Sequence, residues 1–296
     1  MEMLMRVWRS TVMTAMVLAV LPGAAVSVWA QASAIPSAQP NVSADADVHG
    51  RQVLDQMVAA LGGDAWRNRR NWKSTGNFGI FYKGAPNDVA LKFEEMHQTE
   101  PFATRFVVIT HMGSNIGELL GVPVGKDHRD IVELMTSKTS YEITYKGNHE
   151  LPKDIVTEQL RQRDHSLDAV MGWLKQPGTG VFYEGTVSVA RRLAERVSIS
   201  TAANDTVTLE IDMDTHLPVS REFRYRDPVF KDFNVDREEY DNYQLRDGVM
   251  TPFTVTRYKN GDMVGQRFIA DIRYNQTLDP KLFDPEVPLS GKPPKR

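Results

Sequence analysis

The chain has 296 residues, 41% hydrophobic and 25% charged, with a formal net charge of −3. That composition supports one large domain or two ordinary ones with a buried core, and it excludes a disordered chain. Without a basic excess it does not fit a nucleic-acid binder. With no cysteine it excludes a disulfide framework, an Fe–S cluster, a Cys-ligated zinc site, a Cys nucleophile and a lipidated N-terminal Cys.

In chain order, Arg6 and Arg9 outweigh Glu2, the run from Thr11 to Leu21 is uncharged and largely apolar, and Pro22-Gly23 breaks it ahead of Ala30. This is the order of a secretory signal peptide over residues 1–30, cleaved near Ala30. The alternative is an uncleaved anchor, although the run is short of the roughly 20 residues that a bilayer span needs. Residues 31–46, rich in Ala, Ser, Pro and Asn, read as a flexible leader. Residues 285–296, with four prolines and three basic residues, read as an exposed tail. The folded domain is then 47–284.

Within it, Val53, Leu54, Met57, Val58 and Leu61 predict a helix over 47–61, capped by Asp47 and stopped by Gly62-Gly63. The period then changes to two. Trp72, Phe78, Ile80 and Tyr82 share one parity; Val89, Leu91 and Phe93 follow after a turn, then Phe102, Phe106 and Val108. These predict an antiparallel meander. Residues 111–139 are irregular, with a short helix expected over 127–135. Tyr141, Ile143 and Tyr145 form a strand, and a single helix is expected over 153–174. Strands resume from Val181, including 182–189, 195–200, 205–213, 219–225, 235–243, 252–259 and a last one in which Phe268, Ala270, Ile272 and Tyr274 share a face. The expectation is about eleven strands and two or three helices. Half-polar consecutive strands indicate an antiparallel sheet with one dry face, and a sheet this large curls. The fold class is therefore mainly β (α+β): a large curved antiparallel sheet, or incomplete β-barrel, with helices covering the concave open side.

Chemistry-bearing motifs are sparse. The seven histidines form no His-Glu-x-x-His pair. Asp127-His128-Arg129-Asp130 reads as a solvated turn. Asp212-x-Asp214-x-His216 reads as a hairpin turn formed by Asp214, with a bound cation as the alternative. Ser114 lacks the spacing of a nucleophile elbow. Gly178-Thr-Gly180 precedes a strand, so it is no dinucleotide loop. Glu94-Glu95 and Glu238-Glu239 are adjacent on strands and face opposite ways. No enzyme, cofactor or metal is expected. The aromatic parity instead suggests that Trp72, Phe78, Ile80, Phe93, Phe106, Tyr141, Tyr145, Phe223, Phe253 and Phe268 line one concave apolar face. The alternative is an ordinary core packed under the helices.

Several phrases resemble one family. The helix running into Gly62-Gly63 and then Trp72-Lys-Ser-Thr-Gly76, the pair Thr208-Leu-Glu-Ile-Asp212 and Thr215-His-Leu-Pro-Val219, Tyr240-Asp-Asn-Tyr243 before Asp247-Gly248, and Ile272-Arg-Tyr-Asn275 before Leu282-Phe283 are similar to the outer-membrane lipoprotein-sorting proteins, the LolA/LolB-like group. The similarity spans 47–284 and is best over 205–284. It implies an incomplete barrel with an apolar cavity, a periplasmic location, and carriage of acyl chains, with a lipid or acylated protein as cargo. A second reading is a periplasmic interaction or sensor module on the same scaffold, partnered by a periplasmic or membrane protein through polar strands such as Arg237-Glu-Glu-Tyr240. N-terminal sequencing of secreted protein should find Gln31 or Ser33 first; intact Met1 on a membrane-embedded product would overturn the signal peptide.

Overall fold

The computed structural model describes residues 44–86, 90–109, 131–144, 146–227 and 229–287. The expected signal peptide, most of the leader, Ser114, the Asp127–Asp130 cluster, Tyr145 and the end of the tail lie outside them.

Helix α1 (Ala44–Ala60) starts before Asp47, so Asp47 is not the cap. Its carboxylate instead accepts from Arg51 Nε at 2.6 Å and from the Val181 amide at 3.4 Å. A short helix α2 (Asp64–Arg67) follows. The first strands are β1 (Asn71–Tyr82), β2 (Ala85–Pro86), β3 (Leu91–Gln98), β4 (Ala103–Ile109), β5 (Ile131–Thr136), β6 (Ser140–Thr144) and β7 (Gly147–Glu150). Residues 131–135 are thus strand, where a helix was expected; Val132 and Leu134 alternate with Ile131 and Glu133, and the pairing to β4 and β6 decides it. The helix expected over 153–174 is two helices, α3 (Lys153–Asp164) and α4 (Leu167–Trp173). Ser166 breaks it: its backbone is extended and its hydroxyl accepts from the Ala169 amide, opening a new helix. The remaining strands are β8 (Gly180–Val189), β9 (Arg192–Ser200), β10 (Thr206–Asp212), β11 (Pro218–Arg226), β12 (Phe233–Arg246), β13 (Val249–Lys259) and β14 (Asp262–Tyr274).

All pair antiparallel in one 14-stranded sheet, in the order β7-β6-β5-β4-β3-β1-β14-β13-β12-β11-β10-β9-β8, with β2 on β1 alone. The sheet does not close, because β7 and β8 end the order unpaired with each other. Among the described residues, no helix is long and apolar enough to cross a membrane.

The helices pack on one face, called inner here. Val53, Leu54, Met57, Val58 and Leu61 of α1, Trp66, and Val170 and Trp173 of α4 close over Val181, Val197, Ile199, Val207, Leu209, Ile211, Phe223, Val249, Phe253, Ile272 and Tyr274. This part of the inner face is a filled core. A smaller cluster forms on the outer face, where Val132, Leu134 and Ile143 meet Val107, Tyr141 and Phe283. The chain's 3-10 turn at Pro280–Phe283 sits there, tied by Arg105 donating to the Leu282 carbonyl at 3.1 Å. A polar face would otherwise be expected on β4–β6; the C-terminal segment makes it dry.

A bulge changes which residues of β14 face inward. Between β1 and β14, Thr75 pairs Asp271 and Gly76 pairs Ile269, so Ala270 is the extra residue. Past it the parity of β14 inverts: Ile269 joins the core and Phe268 is 45% exposed. At the other rim, Gly62 has φ +122°, and a Cβ there would lie 2.2 Å from the Gly248 carbonyl oxygen. Gly63, at φ +57°, has open space. Gly62→Ala should therefore cost about 3 kcal/mol or more and Gly63→Ala about 1 kcal/mol. Urea unfolding midpoints check this; equal effects would remove the close approach as the cause.

Candidate functional site

The site is framed by how α3 is held. Its residues Gln159 and Gln162 are three apart, hence one turn apart on one side of the helix. Gln159 donates to Glu133 of β5 at 3.2 Å, and Gln162 donates to Asp236 of β12 at 2.7 Å. In sheet order six steps separate β5 from β12. Laid flat, that is about 29 Å, whereas a helix with its side chains is about 10–12 Å across. The sheet must curl until these two strands face each other across α3.

The grip on β12 and β13 is ionic. Glu158 of α3 takes Arg161 at 2.6 Å, Arg257 at 2.9 Å and Lys259 at 3.6 Å. Arg257 also pairs with the fully buried Asp236 at 2.7 Å. Arg221, only 2% exposed, pairs with Glu238 at 3.1 Å and donates to the His165 carbonyl just after α3. Burial pushes Glu158 and Glu238 up, but the cations beside each outweigh it and hold both below the usual carboxylate range. Glu133, by contrast, is raised by burial and by Glu142 opposite it. These carboxylates fasten α3 to the sheet. No group of three His, Asp or Glu able to hold a metal occurs among the described residues. Asp212 caps the β10–β11 hairpin through Asp214 N, Thr215 N and the Thr215 hydroxyl; it, rather than Asp214, forms that turn.

On the strands between the two anchor points lies an apolar wall. Register places Phe78 and Ile80 of β1, Leu91 and Phe93 of β3, Phe106 and Val108 of β4, and Ile131 of β5 on the inner face. Phe93 stacks on Phe106 at 5.2 Å, and Phe78 meets both edge-on at 6.3 and 5.4 Å. Only Phe93 is fully buried; its neighbours in the wall are half-buried. Arg267 lies over Phe93 at 4.6 Å and pairs with Glu95, which Trp72 also touches at 3.3 Å. Burial raises Glu95, and Arg267 more than offsets it, keeping it ionised.

Four of the ten expected lining residues therefore come together: Phe78, Ile80, Phe93 and Phe106. Trp72 lies deeper, stacked on His97 at 3.7 Å. Phe223 and Phe253 are in the filled core under α1 and α4. Tyr141 faces outward into the C-terminal cluster, because Leu134, its cross-strand partner, has that parity. Phe268 faces outward because of the bulge at Ala270. Tyr145 lies outside the described residues. What the aromatic pattern missed is the charged row. Its signal was present: Arg221 interrupts the apolar parity Val219, Phe223, Tyr225, and Arg257 and Lys259 continue that of Phe253 and Val255.

No family model and no curated protein matches the sequence. Solved structures do match in fold. A DUF1329 family protein from Desulfovibrio piger aligns with a TM-score of 0.51 at 10% identity, covering 81% of this chain and 97% of that one. A putative outer membrane lipoprotein-sorting protein domain from Vibrio parahaemolyticus gives 0.48 at 11% over 80% and 97%. A LolA superfamily protein from Nitrosomonas europaea gives 0.44 at 11% over 79% and 96%. The first of these shares its fold with this chain. At this identity the likeness speaks for fold alone. In this sheet, the charged grip on α3 and the aromatic wall are features of this chain's own residues.

His97 supplies a test of the inner packing. Burial lowers its pKa from 6.5 to about 4, against the raising effects of Glu95 and Asp168. An unfolded chain takes up the proton near 6.5 and the folded one only near 4. Stability is thus complete above pH 6.5 and falls as the pH drops through that window. The loss should reach about 3 kcal/mol at most, and His97→Gln should flatten it. Denaturant titrations from pH 7 to about 4 measure it; an unchanged slope in the variant would place the effect elsewhere.

Proposed function

We propose that this chain is an exported, periplasmic, non-catalytic carrier that shelters acyl chains of a lipid or an acylated protein against the inner aromatic wall. The observation that carries the reading is that wall itself. Phe78, Ile80, Leu91, Phe106, Val108 and Ile131 sit side by side on the inner face yet remain half-buried, while the other half of the same face is filled to completion. An apolar surface of this extent left incompletely covered indicates a binding surface. Each acyl CH₂ it removes from water is worth about 0.8 kcal/mol, so a few methylenes give useful affinity without any polar anchor. The sequence resemblance to the outer-membrane lipoprotein-sorting proteins and the secretory composition of residues 1–30 support the same reading.

The two halves of the face respond differently to the same substitution. Phe106→Asp and Phe78→Asp place the acid where the side chain is half open, so the carboxylate stays hydrated in the empty protein. These variants should lose fluorescent fatty-acyl binding about tenfold or more with a small change in melting temperature. Phe223→Asp puts the acid into the filled core and should cost more than about 4 kcal/mol. If all three unfold alike, or if the unaltered protein binds no acyl probe, the interaction-module reading replaces the carrier.

A further inference from the structure

Successive hairpin ends place several segments on one rim of the sheet. Ile80 pairs with Gly265 near the β13–β14 turn, Arg226 pairs with Phe233 across the β11–β12 loop, and Lys92 pairs with Ile109 at the end of β4. The open end of the aromatic wall, at Ile80, Leu91 and Val108, reaches this rim.

The β11–β12 loop on the same rim exposes apolar side chains. Val229 is 69%, Phe230 71% and Phe233 64% exposed. They are held out by rigid loop chemistry. The Asp227 carboxylate accepts from the Val229 amide at 2.8 Å, the Phe230 amide at 2.9 Å and the Asn234 side chain at 3.0 Å. The backbone closes the loop from Asp227 N to Asp232 O at 2.7 Å and from Lys231 N to Asp227 O at 3.1 Å. Asn260 of the neighbouring turn braces it, its side chain joined to both the Val235 amide and Asn234. Three apolar side chains, two of them phenylalanines, are thus held mostly in water.

Charge at the loop is sorted. The acids bond to the loop's own amides: Asp227 accepts from Val229 and Phe230, and the exposed Asp232 accepts from the Phe233 amide at 2.8 Å. Among the described residues, Arg226 and Lys231 of the loop, and Lys83 at the β1–β2 turn beside the 43% exposed Tyr82, pair with no carboxylate. Exposed apolar side chains with the unpaired Arg226 and Lys231 beside them complement an anionic bilayer, whose headgroups meet the cations while the apolar side chains enter the acyl boundary.

We propose that the β11–β12 loop docks this rim onto an anionic membrane surface, with Val229, Phe230 and Phe233 inserting and Arg226 and Lys231 holding the headgroups. This extends the carrier reading by naming the surface at which the open end of the wall faces lipid. The test is co-sedimentation of the full chain with vesicles of phosphatidylcholine alone or with phosphatidylglycerol, alongside acyl-probe binding and melting. The unaltered protein should pellet with the anionic vesicles, less so at high salt. Val229→Asp with Phe230→Asp should weaken this about tenfold or more, and Arg226→Glu with Lys231→Glu should abolish its salt dependence. Both double variants should keep the parent's melting temperature and acyl-probe binding. No vesicle binding by the unaltered protein, equal binding to neutral vesicles with no effect of the loop variants, or a concentration-dependent dimer lost in the Val229/Phe230 variant in place of vesicle binding would overturn the proposal. Vesicle binding that persists while acyl-probe binding is absent would uphold the docking loop and remove the carrier reading alone.

Discussion

The arrangement depends on one contact set: a single turn of α3 that holds β5 through Gln159 and β12 through Gln162. A flat sheet cannot satisfy both, so the bonds and the curl require each other. Curling has its own drive in the twist of neighbouring strands and in the apolar area covered by α1 and α4. What α3 adds is a fixed closing distance. It spans the open side by polar contacts, and it leaves the strands between its anchors, which carry the aromatic wall, without the close apolar packing that α1 gives β8 to β11.

Polar fastening has a physical consequence. Hydrophobic burial is non-directional, so a helix lying on an apolar surface slides and rotates at little cost. The pairs Glu158–Arg257, Asp236–Arg257 and Arg221–Glu238 define one position. Desolvating such charges offsets much of their attraction, so they specify geometry more than they add stability. Some atoms in the row stay without partners, namely Arg221 Nε, Arg267 Nε and Gln159 Oε1. Buried orphans of this kind cost free energy and mark the inner face beside the wall as less completely satisfied than the core under α1.

The inner face is accordingly divided by chemistry. Below α1 and α4 it is aliphatic and closed. Along β12 and β13 it is ionic. On β1, β3 and β4 it is aromatic and half open, with Arg267 and Glu95 at the seam between the ionic and aromatic parts. Arg267 belongs to both, since one guanidinium can hold a carboxylate in its plane and lie over a ring with its face. The outer face mirrors this division less strictly: Arg196 and Arg237 gather on Glu210, while the C-terminal turn covers β4 to β6.

Local pattern alone determined much of this protein. The period-two runs, the helix ending at Gly62-Gly63 and the turn phrases around Asp212 and Asp247 all act within a few residues, so the strands, the antiparallel class, the helix-covered open sheet and the aromatic residues of β1, β3 and β4 were readable. The opposite orientations of Glu94 and Glu95, and of Glu238 and Glu239, followed from the pleat. Other features needed the tertiary structure, because they depend on partners far away in sequence. The bulge at Ala270 exists only against β1, and it alone turns Phe268 outward. Tyr141 shares the outward parity of Leu134, and Phe283, more than a hundred residues later, makes that face dry. Arg221 in an apolar stripe looked like an exception until Glu238 and the end of α3 supplied its partners, and the division between a filled core and an open wall is set by which strands α1 covers.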